Sequence, residues 1–571
     1  MPTTSAVVVA IASLLAGSYY SGHLRFPERF FSPDKDLYRW NCRPFLPSLF
    51  AETPPPRTHP AIRDAVASVD RFFASRFAQG DIDSLSVAVV AADGPLYERN
   101  FGVTRGNETS SPPTTSHSTY RIASTGKLFP VLEGLILEQR GIISWDDPVD
   151  KYLENFTYRI DGVDPEAACE GVPKPPLTLF QLASHLSGLG RDWPAGTVSN
   201  WPHDMFGGGP PPTNGHPFPS NEDLLRAIAR HHLTSPPWFY PAYSNTGSGL
   251  LGLALAAASS AAAGDAETIS YADLVKRDIF GPMGLNGSHF LTTDENKHLV
   301  VVPSLAPEVA DQDFLDAMNP AGGQFSSLSD LIMVTQTLLN PRHSKSQLSP
   351  YTRDKWLRTV HSFEEDDWTE LGLMWEIIKA KDSNGRSRKI YWKLGAMAGY
   401  HSALAIHPGS SYGIVVLMAG HYPDAAKLTY DAFEIFQPAM DKALSDMVTE
   451  LYAGEWRDDS DVARPSSALI VAEKGTLYVE QYTLLGVDAL KNFGAQGKLA
   501  LRTTGRRDEF RLDTGIPGYN GQKHMGCYPY WNGQDLWGVR NNAAVNTLYF
   551  RGEEGQRRLH VPSLNLTLRR V

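Results

Sequence analysis

Apolar side chains recur at three- to four-residue spacing over residues 61–77, at Ile62, Val66, Val69, Phe72 and Phe73, which predicts an amphipathic helix. The pattern then changes. Residues 85–90 and 96–101 are apolar-rich runs on either side of Asp93-Gly94, a dipeptide suited to a tight turn, so a hairpin is expected there. A further helix is expected to start near Ser124, strands at 402–406 and 412–418, and a closing helix over 424–447. From Tyr452 onward the texture shifts to short runs with polar turns, at 467–471, 476–482, 499–504 and 547–551, which predict a small antiparallel sandwich or barrel. The organisation expected is an α+β domain over residues 61–450, an antiparallel sheet flanked by helices, followed by a small all-β domain over 451–571.

The N-terminal part reads differently. Residues 6–16 form an apolar run too short to span a bilayer comfortably but of signal-peptide length, and Ala16-Gly17-Ser18 offers a cleavage site. Residues 1–20 are therefore expected to be a signal peptide, with an uncleaved membrane anchor as the alternative. Residues 21–60, rich in proline and aromatics and ending in Pro54-Pro55-Pro56, read as an extended arm. Sequons at Asn107, Asn155, Asn286 and Asn565 suit a secreted or lumenal glycoprotein. Between Pro194 and Pro219 a Pro- and Gly-rich stretch is too long for a routine connection, and reads either as a roof over a pocket or as a solvated loop.

Size and charge narrow the field. With 571 residues the chain exceeds one ordinary core. Its net charge of −11, with no basic block, speaks against a nucleic-acid partner. Three cysteines, Cys42, Cys169 and Cys527, allow one disulfide and one thiol. Cys42–Cys169, joining arm to catalytic domain, is the pairing to test. None of the three has a histidine in a recognisable nucleophile motif.

The chemistry centres on Ser124-Thr125-Gly126-Lys127. At i and i+3 on a helix, a hydroxyl lies beside an amine that can take its proton. The only other Ser-x-x-Lys, Ser32-Pro33-Asp34-Lys35, sits among proline and charge and lacks an apolar context. Downstream, Tyr243-Ser244-Asn245 offers a phenol that can relay protons and an amide that can orient a lysine. Lys393-Leu394-Gly395 follows a strand-like run and offers a cation beside a glycine that lets substrate approach the backbone.

In this order the three motifs resemble those of the serine beta-lactamase and penicillin-binding-protein superfamily, on its class C and esterase side. The segments around Trp145 to Leu153, Leu177 to Leu189, Ile279 to Leu285 and Ala321 to Ser327 are similar to further stretches of that family. The resemblance implies a beta-lactamase/transpeptidase-like domain, an antiparallel sheet flanked by helices plus an all-helical subregion; fungal members with an appended β domain are similar in layout, and secondary metabolism is the setting this resemblance implies. The resemblance also implies roles. Ser124 attacks an acyl carbonyl and Lys127 with Tyr243 handles the proton. Asn245 orients, Lys393 supplies field, and the N–H groups of Ser124 and Ala396 form the oxyanion hole, with Gly395 leaving room for substrate.

One departure bears on substrate. The family's third motif usually carries a hydroxyl where this chain has Leu394, and leucine cannot donate to a substrate carboxylate. An ester or another neutral acyl group is therefore expected, with water or a second alcohol as acceptor. The alternatives are a beta-lactamase or D-amino-acid peptidase, and a non-catalytic secreted binding protein. No cofactor or metal is expected: His-Glu-x-x-His is absent, and His231-His232 are adjacent. His185, in a segment that is structural in the family and lacking a Gly-x-Ser-x-Gly elbow, is expected to be a core residue.

Overall fold

The computed structural model describes residues 42–164, 174–458, 460–495, 497–514, 526–535, 538–553 and 555–571. The expected leader over 1–20 and the arm up to residue 41 lie outside the described residues. The chain divides into two units: Ser48–Leu444, and a second that joins residues up to Pro47 with Ser445–Val571.

In the first unit, helix α1 (Pro60–Phe77) starts on a proline, whose missing N–H costs nothing in a first turn, and buries Ile62, Val69 and Phe73 on one face. The predicted hairpin is present as β1 (Ile82–Ala91) and β2 (Gly94–Gly102), turning where Ala91 faces Gly94. Strands β3 (His361–Ser362), β4 (Thr369–Leu371), β5 (Glu376–Lys381), β6 (Ser387–Met397), β7 (Tyr400–His407) and β8 (Tyr412–Gly420) complete an eight-stranded antiparallel sheet. Its order is β2-β1-β8-β7-β6-β5-β4-β3. Strand β1 lies between β2 and β8 and is buried along almost its whole length, and from Val87 to Ala91 it is apolar without alternation. Its two hydroxyls, Ser84 and Ser86, are satisfied inside by the Tyr120 phenol, at 2.6 and 3.0 Å.

Helices α2 (Leu128–Gln139), α3 (Asn245–Ala263) and α4 (Leu328–Leu339) bring the rest of the core together, with α4 against the sheet and α3 against α2. α3 is apolar on every side and long enough to cross a membrane, but it is mostly buried, as a central core helix is. Ser244 caps its start by accepting from Gly247 N–H at 2.7 Å. Gly252 lets Pro320 approach: a Cβ there would lie 2.3 Å from the proline ring. That close approach seats the turn Asn319–Gly323 against α3. Helix α5 (Ala425–Tyr452) follows β8.

In the second unit a nine-stranded sheet follows, made of β9 (Gly454–Asp458), β10 (Ser466–Glu473), β11 (Thr476–Leu484), β12 (Val487–Asp488), β13 (Leu499–Thr503), β14 (Glu509–Asp513), β15 (Thr547–Arg551), β16 (Arg558–Val561) and β17 (Leu566–Arg570). Their order is β10-β9-β17-β16-β15-β14-β13-β11-β12, and β10 also pairs with β11. That pairing closes eight strands into a barrel, which leaves no free edge within the ring. Trp456, Phe510 and Phe550 stack edge-on in its core.

The disulfide differs from expectation. Cys42 bonds Cys527, 485 residues away, with Cα atoms 4.8 Å apart. Cys169 lies outside the described residues. The expected Cys42–Cys169 pairing assumed that the arm is tied to the catalytic domain, but the segment at Cys42 belongs with the barrel unit, where Thr476 Oγ1 donates to Pro44 O at 2.8 Å. Tertiary neighbours decide pairing.

Candidate active site

Ser124 lies in a 3₁₀ turn, Ala123–Lys127, that leads into α2; it is not within the α-helix the sequence predicts. In a three-residue repeat, positions i and i+3 eclipse, so Ser124 and Lys127 still face each other. Ala123 takes φ 47°, a left-handed conformation rare for a residue with a Cβ, immediately before Ser124. Arg121, at the end of the short strand Thr119–Arg121 ahead of this turn, is wholly buried and donates to Gly323 O at 2.6 Å and Val309 O at 3.2 Å, which anchors the turn from behind.

Strands β6 and β7 are both fastened to the same turn. Thr125 Oγ1 donates to Lys393 O at 3.1 Å, and Ser402 Oγ donates to Ile122 O at 2.7 Å. Gly395 is needed for this contact: a Cβ would lie 2.1 Å from Ile122 O and 3.1 Å from Thr125 N. The close approach places Ala396, which is exposed, one residue beyond the strand's contact with the Ser124 turn. The expected oxyanion pair, Ser124 and Ala396, thus comes from two elements held together by Gly395.

Lys127 is wholly buried, and its Nζ donates to Ser124 Oγ at 3.0 Å, to Asn245 Oδ1 at 2.6 Å and to Ala321 O. All three ammonium hydrogens are occupied. Tyr243 Oη lies 2.5 Å from Ser124 Oγ. The Tyr243 ring is flanked by cations, with Lys127 Nζ, Lys393 Nζ and the Arg191 guanidinium 5.0, 5.2 and 4.7 Å from its centroid. Ser124, Lys127, Tyr243, Asn245 and Lys393 therefore converge on one site, as the sequence led us to expect.

Proton affinities follow from this packing. Burial lowers the Lys127 ammonium and the Lys393 charge adds to it, outweighing Tyr243 and Asp192, which pull the other way. For Tyr243, burial raises the phenol, but the charges of Lys127 and Lys393 overcome it and hold the group below its ordinary value. Burial likewise opposes the Lys393 charge, yet Glu376 and Tyr243 hold its ammonium above the usual lysine range. The result is a soft proton pair, Lys127 and Tyr243, beside a lysine that stays charged.

Three contributors went unread in the sequence. Asp192, whose side chain is 7% exposed, accepts from Asn245 Nδ2 at 2.6 Å. Arg191 lies over Tyr243, and its carbonyl accepts from Asn245 N–H at 2.8 Å. Glu376 on β5 accepts from Lys393 Nζ at 2.5 Å. The only available signal was an Arg-Asp pair directly after the apolar Gly188-Leu189-Gly190. Glu376 was hidden because its partner lies on the neighbouring strand.

His185 supports Tyr243 and makes no bond with Ser124 among the described contacts. Its Nδ1 accepts from Ser244 N–H at 3.2 Å, and its ring lies 4.8 Å from that of Tyr243. Burial, with Lys393, Lys127 and Arg191 nearby, holds it neutral. His231 stacks on Trp193, and His232 Nδ1 contacts Asp161 O at 3.0 Å. Among the described residues, no group of three His, Cys, Asp or Glu side chains is arranged to hold a metal ion.

The stretch from Pro194 to Pro219 is tied near the site at both ends. At one end it follows Asp192; at the other, Phe218 stacks on Phe314 at 4.3 Å within a cluster that Met397 also joins. Between these ends it encloses a cleft of about 470 Å³ lined by residues such as Thr197, Asn200 and Phe206, and none of Ser124, Lys127, Tyr243, Asn245 and Lys393 lines it.

The family model described as Beta-lactamase matches residues 69–436. The chain is 34% identical to Beta-lactamase-like protein str6 of Strobilurus tenacellus over 308 residues, covering 52% of this chain and 98% of that protein. It is 40% identical to Beta-lactamase-like protein str5 of the same fungus over 226 residues, covering 39% of this chain and 80% of that one. Among solved structures, a beta-lactamase/D-alanine carboxypeptidase from Yersinia pestis shares the fold, with TM-score 0.51, 21% identity, and coverage of 65% and 97% of the two chains.

Proposed function

Because the chain belongs to the beta-lactamase family of serine hydrolases, we propose that it is a serine esterase or transesterase working through an acyl-Ser124 intermediate. The contact that carries this reading is Ser124 Oγ held between Tyr243 Oη at 2.5 Å and Lys127 Nζ at 3.0 Å. In acylation the serine oxygen attacks the ester carbonyl and its proton passes to the Lys127–Tyr243 pair. The Ser124 and Ala396 N–H groups face the developing oxyanion, and one such donor is worth about 3 kcal/mol. The pair then returns the proton to the departing alkoxide. Water or a second alcohol, deprotonated by the same pair, releases the acyl group.

Two features favour a neutral ester over a carboxylate-bearing substrate. Leu394 offers no hydroxyl, and the Lys393 charge is already matched by Glu376. A beta-lactamase or peptidase reading draws on the same catalytic residues, and position 394 is what separates them. A secreted or lumenal setting is supported by the Cys42–Cys527 bond and by the exposure of all four sequon asparagines. A role in fungal secondary metabolism is the setting that goes with the Strobilurus relatives.

The deciding test is intact-mass analysis after a fluorophosphonate probe and, separately, p-nitrophenyl acetate, with wild type beside Ser124→Ala. A single adduct lost in the variant is expected. No adduct on folded wild-type protein would return the chain to a binding role.

A further inference from the structure

Three consecutive aromatic side chains stand in solvent directly ahead of the catalytic tyrosine. Trp238, Phe239 and Tyr240 are 55, 74 and 41% exposed, in the run Pro236-Pro237-Trp238-Phe239-Tyr240-Pro241. Rings exposed singly need no explanation, whereas a contiguous run does. The backbone carrying them is fixed. Thr234 N–H donates to Gly188 O at 2.8 Å, Trp238 N–H to Leu186 O at 2.9 Å, and Ala242 N–H to His185 O at 2.8 Å. Trp238 holds φ 71°, a conformation that a bulky side chain rarely adopts. A strained residue that turns a large ring outward, on a segment pinned in three places, calls for a use.

The run is continuous with the active site on two sides. Tyr240 is three residues from Tyr243, so their Cα atoms are at most about 11 Å apart. Its ring meets Phe363 edge-on at 5.7 Å and His361 at 5.9 Å. His361 pairs with Leu371, and Leu371 with Glu376, the partner of Lys393. The far wall of the run is therefore two strands, roughly 10 Å, from Glu376. Behind it, Phe180 stacks on Trp238 at 5.5 Å.

We propose that Trp238, Phe239 and Tyr240 form the subsite for the apolar part of the leaving alcohol, so that the preferred substrates are esters of bulky, uncharged alcohols. This rests on the serine-ester reading above. Acylation forms the bond from Ser124 Oγ to the acyl carbon and breaks the bond from that carbon to the alcohol oxygen. The proton released by Ser124 goes through the Lys127–Tyr243 pair to that oxygen. The departing oxygen must therefore sit by Tyr243, and its substituent extends along the segment that leads into Tyr243. No charged side chain belongs to the run, so apolar contact is what it offers.

The test compares wild type with Trp238→Gly, where glycine accepts the positive φ, and with Phe239→Ser, at the most exposed of the three rings. Substrates are methyl, phenyl and 2-naphthyl acetate, and each wild-type to variant ratio cancels the intrinsic reactivity of the alcohol. All three give the same acetyl-enzyme, so its hydrolysis is an internal control. The expected result is a loss of kcat/KM of about tenfold or more for the naphthyl ester. Little change is expected for the methyl ester, and none in acetyl-enzyme hydrolysis. Ratios equal across the three alcohols overturn the proposal, as does a loss that follows acyl length in a p-nitrophenyl acetate-to-octanoate series. Vesicle binding to neutral phosphatidylcholine that the variants lose, with no dependence on the alcohol, assigns the run to a lipid surface instead. Failure of the serine-ester reading shows separately, as wild type without a Ser124 adduct.

Discussion

Asp192 fixes which way Asn245 points. The carboxylate accepts from Asn245 Nδ2 at 2.6 Å, and the amide oxygen is thereby turned to accept from Lys127 at 2.6 Å. A carboxylate can only accept, so the reverse orientation would set oxygen against oxygen. Asp192→Asn removes that discrimination while keeping the shape. We expect kcat to fall by about tenfold or more, as for a buried charge-assisted hydrogen bond, with KM little changed. The Asp192 charge also raises the Lys127 ammonium, so its loss lowers that group. The ascending limb of kcat/KM against pH should move to lower pH.

Lys393→Met should move the same limb the other way. The Lys393 charge lowers both Lys127 and Tyr243, so its removal raises both, and a higher pH is needed to generate the basic form. At neutral pH the rate should drop at least about tenfold. Measured pH profiles for the two variants that shift in the same direction would contradict this assignment of the field.

Leu394→Thr restores a donor beside Lys393. Activity on carboxylate-bearing substrates, such as D-alanyl-D-alanine peptides or a chromogenic cephalosporin, should rise by about tenfold. Neutral esters should be turned over nearly as before. An unchanged ratio of kcat/KM between the two substrate types would show that position 394 does not set the preference.

Glu133, on α2, carries a wholly buried carboxyl that burial, and then the Asp278 carboxylate, push up to about 9. Its folded value lies above the unfolded one, so the stability it allows is complete below about pH 4.5 and is lost as pH rises towards 9. Glu133→Gln keeps the neutral shape of the protonated acid. It should raise stability at pH 8 by roughly 1–3 kcal/mol, flattening the fall of melting temperature between pH 5 and pH 8. A variant whose melting temperature follows pH as steeply as wild type would place the titration elsewhere.

Local signals carried far in this chain. The helix near Ile62, the hairpin around Gly94 and the C-terminal strands stand within a few residues of where the apolar pattern and the turn residues placed them, because local signals mark their ends. The serine, lysine, tyrosine and asparagine of the site were legible for a similar reason: each lies in a short motif whose spacing has chemical meaning. What was not legible depends on neighbours distant in sequence. Asp192 acquires its role from Asn245 across 53 residues, and Cys42 finds Cys527 and not Cys169. Glu376 becomes the partner of Lys393 only once two strands take their register. The 3₁₀ form of the Ser124 turn is likewise imposed by packing, since Gly395 and Ser402 press against it from β6 and β7.

The Cys42–Cys527 bond also fixes an order of events during synthesis. At ordinary ribosome speeds, about 25 to 100 s separate the appearance of the two thiols. Every residue of the catalytic unit, from Ser48 to Leu444, emerges inside that interval. The active site can therefore assemble while Cys42 is still unpaired, and covalent closure comes as a late seal. Once sealed, a single cut anywhere between the two cysteines opens a ring without releasing a piece. A nick in the exposed Pro194 to Pro219 stretch would stay invisible on a gel until a reductant was added.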